Sequence, residues 1–123
     1  MINDFEHITY ELTESELELV PIIMKGISLR VGADLAVSGT LVCEKMKING
    51  ARLRKIINYI RVNNLIYGLC SCGKGYYIAR TLEELEGCII SLKQRVASQV
   101  RVLNALEGQT MMFGGMGQLS IFE

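Results

Sequence analysis

Three stretches of this chain carry apolar residues at helical spacing, and the first is marked by its own start signal. Thr13 followed three residues later by Glu16 is a capping box, and the glutamates of that turn suit the positive end of a helix dipole. Leu17, Val20, Ile23, Met24, Ile27 and Val31 then return on one face, which predicts a helix from Thr13 that Gly32 ends. Pro21 falls inside this pattern and predicts a kink or a short distorted turn near the start. Next, "DLAVSG" reads as an extended link, with "LAV" the one place for a third strand. Ser38 is a good N-cap for "GTLVCEKMK", with Leu41, Val42 and Met46 inward. In "INGA", Asn49 and Gly50 are the residues expected to take positive φ.

The second clear stripe follows in "ARLRKIINYIRVNN". Leu53, Ile56, Ile57 and Ile60 stand at i, i+3, i+4 and i+7, so the helix has one apolar face. Arg52, Arg54, Lys55, Asn58, Tyr59 and Arg61 occupy the other positions. After Asn63-Asn64 the period shortens. "LIYGLC" and "GYYIAR" read as strands joined by "SCGKG", with Lys74 at the tip of a hairpin. Thr81 then caps the longest helical pattern, in which Leu82, Leu85, Ile89, Leu92, Val96, Leu103 and Leu106 alternate by three and four and Gln99 holds one polar seam position. That spacing suits a helix packed on its own domain or a homodimer seam over residues 82–106. From Gly108 the composition turns to Gly, Met and Gln, and "GQTMMFGGMG" reads as a linker.

Charge changes the picture. The net charge of zero over 123 residues hides six acidic residues and no Lys or Arg between Asp4 and Glu18, and eight basic residues with no acidic one between Lys45 and Arg80. A basic block of this kind is either a solvated face or the footprint of a polyanion. The order helix, link, helix, tight turn, basic helix, hairpin decides for the second. It is the order of a winged helix-turn-helix, whose second helix of the pair enters the major groove of DNA. The fold class expected is mostly α with a small β-hairpin wing (α+β): a winged helix-turn-helix over residues 1–80, a long C-terminal helix over 81–107, and a flexible tail over 108–123. The partner expected is double-stranded DNA. Lys47, Asn49, Arg52, Arg54, Lys55, Asn58, Tyr59 and Arg61 are the contact candidates on or beside the third helix, and Lys74 the one on the wing.

Half the residues are hydrophobic, enough for the core of one domain with an appendage. No apolar run is long enough to cross a bilayer, and the acidic start lacks the basic and apolar regions of a signal peptide, so no membrane partner is expected and the cytoplasm is the expected compartment. Cys70 and Cys72 form C-x-C with no second ligand pair at zinc-finger spacing. The four cysteines are therefore expected to be reduced thiols, with no metal and no cofactor. With His7 the single histidine, and neither a P-loop nor a paired-carboxylate pattern, no enzyme is expected.

Two stretches resemble known families. "LRKIINYIRVNNLIYGLCSCGKGYYIARTLEELEGCIISLKQRV", within about residues 13–108, resembles winged helix-turn-helix DNA-binding proteins of bacteriophages and prophage-like regions, which share "RKxINYIRxxxLI…SKGYYIA…EELExYIxSLxQR". Cys72-Gly73-Lys74-Gly75 stands where those proteins often have "SKG", and Gly87-Cys88 replaces bulkier residues. The resemblance implies the fold and DNA binding, but neither a regulated gene nor a reaction. The closing Gln118-Leu119-Ser120-Ile121-Phe122 resembles the bacterial sliding-clamp-binding motif, Gln-Leu-Ser/Asp-Leu-Phe, with Ile121 in place of Leu. It implies that Gln118 hydrogen-bonds at the rim of a cleft on a DNA polymerase sliding clamp, while the aliphatic residue and Phe122 fill its pocket.

Three functions follow as expectations. The first is a DNA-binding adaptor, phage-derived, that also engages the clamp in DNA replication. The second is a dimeric regulator of transcription. The third is a phage inhibitor of the host clamp.

Overall fold

The computed structural model describes residues 11–114. Asp4, Glu6 and His7 of the acidic start, and the whole motif Gln118–Phe122, lie outside the described residues.

Helix α1 (Glu14–Ser28) begins as its capping box requires. The Thr13 hydroxyl accepts from the Glu16 N–H at 3.2 Å and the Glu16 carboxylate accepts from the Thr13 N–H at 2.9 Å. Its inner face is Val20, Ile23 and Ile27, and the expected Leu17 is exposed instead. Pro21 sits within the helix, which runs on through it. Pro21 and Leu17 are both exposed, so water can donate to the Leu17 carbonyl in place of the N–H that proline lacks. The helix stops at Ser28, short of Gly32, because the next residues are claimed by the hairpin: Val31 bridges Ile78, the Ile78 N–H donates to the Arg30 carbonyl at 2.7 Å, and the Gly32 N–H donates to the Ile78 carbonyl at 2.7 Å.

The link is not extended throughout. Ala33–Leu35 make a 3-10 turn, and only Val37 pairs like a strand, exchanging bonds with Tyr76 at 2.8 and 2.9 Å. Ser38 caps α2 (Gly39–Met46), accepting from the N–H groups of Thr40 and Leu41. Val42, Cys43 and Met46 pack on the core, whereas Leu41 is exposed. In the turn to α3 (Gly50–Val62) the positive φ belongs to Lys47, at 58°. Asn49 stays extended at φ −90° because its side chain serves better as the N-cap of α3, accepting the Arg52 N–H at 2.8 Å. Leu53, Ile56, Ile57 and Ile60 are all buried and form the core with Val20, Ile23, Ile27 and Leu69.

Strands β1 (Leu69–Cys72) and β2 (Gly75–Ile78) form an antiparallel hairpin in the register Leu69↔Ile78 through Cys72↔Gly75, turning at Gly73-Lys74. The first strand thus starts later than expected and takes in Ser71 and Cys72. β2 is held on both edges, by β1 on one side and by Val37 and the Arg30–Gly32 backbone on the other. Helix α4 (Leu82–Gly114) starts with the Thr81 hydroxyl accepting from the Glu84 N–H, and the Glu84 carboxylate accepts from the N–H groups of Arg80 at 2.7 Å and Ala33 at 3.0 Å.

The described fold is mostly helical with a two-stranded hairpin, an α+β chain. The expected linker is corrected over residues 108–114, which continue α4. One exposed glycine costs a helix only about 1 kcal/mol relative to alanine, too little to stop so long a run at Gly108. By its contacts the chain divides after Cys88, not at residue 80, since the first turns of α4 belong with the first unit. In the second unit, every described residue from Ile89 to Phe113 is exposed. No described helix is long and apolar enough to cross a membrane.

Candidate nucleic-acid interface

The expected contact residues on α3 do not share one face. Arg52 and Lys55 turn to α1, where both meet the Glu16 carboxylate at 2.9 Å, through Arg52 Nε and Lys55 Nζ. Arg52 also donates to the Ser15 hydroxyl at 3.2 Å. Glu16 is 1 % exposed. Burial on its own would raise its pKa, but the hydrogen bonds from Lys55, the Thr13 backbone and Arg52 outweigh that and bring it to about 2. The cap of α1 and the pairing of α1 with α3 therefore use the same carboxylate.

Glu16→Gln should cost about 1–3 kcal/mol at pH 7, the lower part of that range if water screens the half-exposed Arg52. Its folded pKa of about 2 lies below the ordinary 4.5, so the stabilisation is present above pH 4.5 and lost as pH falls toward 2. The gap between wild type and Glu16→Gln in urea midpoints should accordingly shrink to less than about half by pH 3. An equal gap at pH 7 and pH 3 would show that the charge of Glu16 does not stabilise the fold.

Arg61 turns to the hairpin, its Nε donating to the Leu69 carbonyl at 2.9 Å and its Nη2 reaching the Ser71 hydroxyl at 3.5 Å. Tyr59 packs against the core, and the Asn49 side chain is used as a cap. Asn58 is half-buried, on the same side of α3 as Arg54, four residues before it. Arg54, Lys47 and Lys74 are exposed and, among the described residues, have no ion-pair partner. Sequence alone could not separate these from Arg52, Lys55 and Arg61, because their partners lie on other elements.

Two adjoining open grooves join Arg54 to Lys74. One, of about 400 Å³, is lined by Gly39, Thr40 and Cys43 of α2, Gly50, Leu53 and Arg54 of α3, and Tyr76 of β2. The other, of about 300 Å³, runs from Ser38–Thr40 along Ser71–Tyr76 to the hairpin tip. They share Gly39, Thr40 and Tyr76. A Cβ on Gly39 would lie 3.4 Å from the Tyr76 ring, so the glycine lets α2 start close against β2. Burial pushes the Tyr76 phenol up, partly offset by the nearby Arg61 and Arg54, so it remains a neutral donor and acceptor. Ser38, Thr40 and Tyr76 were not among the expected contacts. Their only signal in the sequence is the N-cap pattern, which says nothing of proximity to the hairpin.

Burial, and then the neighbouring Cys88, push Cys70 up to about 11, and burial pushes Tyr77 to about 12, so both hold their protons at neutral pH. Among the described residues no three His, Cys, Asp or Glu side chains come together as metal ligands. No family model matches this chain, and neither a curated protein nor a solved structure matches it.

Proposed function

We propose that this protein is a non-enzymatic, cytoplasmic winged helix-turn-helix that binds double-stranded DNA, with the β1–β2 hairpin as its wing, and that it engages a bacterial sliding clamp through Gln118–Phe122. The observation that carries the DNA reading is the separation of the cations. Arg52, Lys55 and Arg61 are held by partners within the fold, while Arg54 and Lys74 flank the two adjoining open grooves between the start of α3 and the hairpin tip. Arg54 and Asn58 suit base edges, and Lys47 and Lys74 suit phosphates. The clamp reading is carried by the motif alone, and only residues 115–117 separate Gln118 from the end of α4. Binding DNA and a clamp on the same duplex would raise the effective concentration of each contact for the other.

Calorimetry with a purified bacterial clamp tests the second half. Binding at tens of micromolar is expected from the wild type and none from Leu119→Ala/Phe122→Ala, with duplex affinity the same in both. Clamp binding that survives the double substitution removes the motif from the function. Clamp binding that blocks replication without any duplex affinity would favour a clamp inhibitor. The exposed apolar seam of α4 favours one further reading, a dimeric transcription regulator.

A further inference from the structure

We infer that the exposed part of α4 pairs with a second copy of itself as a parallel, in-register, two-stranded coiled coil. The inference rests on the dimer reading just given and is independent of DNA binding. From Ile89 onward the seam residues Ile89, Leu92, Val96, Leu103, Leu106 and Phe113 are each between 43 % and 69 % exposed. Because the helix continues through Gly108 to Gly114, the three-four spacing does not stop at Leu106 but runs on through Thr110 to Phe113. The seam thus spans 25 residues, Ile89 to Phe113, about three and a half heptads and enough for a coiled coil. One core position holds Ile89, Val96, Leu103 and Thr110, and the other Leu92, Gln99, Leu106 and Phe113. The first layers, β-branched Ile89 and Val96 with Leu92, are the choice that favours two parallel strands.

Gln99 selects the orientation. In a parallel in-register pair each core layer brings a residue against its own copy, so the Gln99 amide meets a second amide and each can donate and accept. An antiparallel pair instead sets the two kinds of core position against each other. Gln99 then faces Leu103 in the register that keeps all eight seam positions, Val96 in one that keeps six and Ile89 in one that keeps four, and its amide has no partner in any of these three. A fourth register offers it Thr110 but leaves Ile89 and Leu92 outside the seam.

The flanking charges support the same choice. The parallel pair sets Cys88 beside Lys93, Arg95 beside Val100 and Val102 beside Glu107, with no like charges together. Of the three antiparallel registers, one sets Lys93 against Lys93 and Arg95 against Arg95, and another sets Glu86 against Glu107. The third gains two Lys93–Glu107 pairs, worth about 0.2–1 kcal/mol each, but loses about 1–3 kcal/mol for each amide buried against Leu103. The parallel pair wins. A second copy is the occupant because it brings a matching amide at the same level of the seam.

Disulfide trapping in the full chain tests this without DNA. In a Cys72→Ser/Cys88→Ser background, Leu106→Cys alone should oxidise to a covalent dimer. An oxidised mixture of Val96→Cys and Leu106→Cys chains should contain only homodimers by mass spectrometry. Val96–Leu106 heterodimers would establish the antiparallel pair, and a sedimenting monomer at about 100 µM with no cross-linking would remove the dimer; either overturns the inference. A monomer that still binds duplex leaves the DNA reading standing, and a cross-linked dimer with no duplex affinity removes that reading alone.

Discussion

Arg54→Ala/Lys74→Ala is expected to weaken binding to duplex DNA by about 30-fold or more at physiological salt while leaving the fold intact. Both side chains are exposed and have no ion-pair partner among the described residues, so truncating them removes no intramolecular salt bridge. Arg54 stands in the first turns of α3, where the proposed function puts the contacts to base edges, and a lost bidentate base contact costs about 1–3 kcal/mol. Lys74, at the hairpin tip, suits a phosphate, and its loss should take about one unit from the slope of log affinity against log salt. If Arg54 also reaches a phosphate, the double variant loses about two units. Fluorescence anisotropy on a labelled duplex over a salt series reads both quantities. Arg52→Ala is the contrasting variant, since it removes a partner of Glu16 and should lower the unfolding midpoint more than it changes the salt slope. Unchanged affinity and slope in Arg54→Ala/Lys74→Ala would exclude this groove as the DNA site.

Gly75→Ala should be the most damaging single-methyl change in the first unit, destabilising it by about 3 kcal/mol or more. Gly75 opens β2 with φ at 132°, a conformation that alanine rarely adopts. A Cβ there would also overlap the Val37 carbonyl oxygen and crowd the Ser38 Cα at 2.9 Å. These are backbone atoms, and the Val37 carbonyl is the acceptor of the Tyr76 N–H, so relief by a side-chain rotation is not open to them. The hairpin would have to lift from Val37, opening the groove wall that Tyr76 and Ser38 make together. Gly73, in the turn of the same hairpin, is the control: a Cβ there meets nothing within 4 Å. Thermal unfolding of Gly73→Ala and Gly75→Ala side by side checks the prediction, and equal midpoints would overturn it.

What the sequence determined on its own was what short spacings control. The Thr13–Glu16 box and the Ser38 cap start their helices, and Leu53, Ile56, Ile57 and Ile60 are buried as their spacing predicts. The hairpin turns at Gly73-Lys74 as its glycines indicate. Each depends on residues within a turn or two of one another, so local propensity and one apolar face suffice. Tertiary structure decided what depends on distant partners. Glu16, 36 residues before Arg52 in sequence, takes two cations away from the outward face of α3, and the Leu69 carbonyl takes Arg61. The edge of β2 draws Arg30–Gly32 out of the helix that the periodicity alone would have extended. Helix α4 holds through Gly108 because cooperativity along a long helix outweighs one poor residue. Which basic side chains are free for a polyanion was therefore not a property of the basic stretch. It follows from where the fold places one buried carboxylate and one strand carbonyl, whose partners are chosen by packing and not by neighbours in sequence.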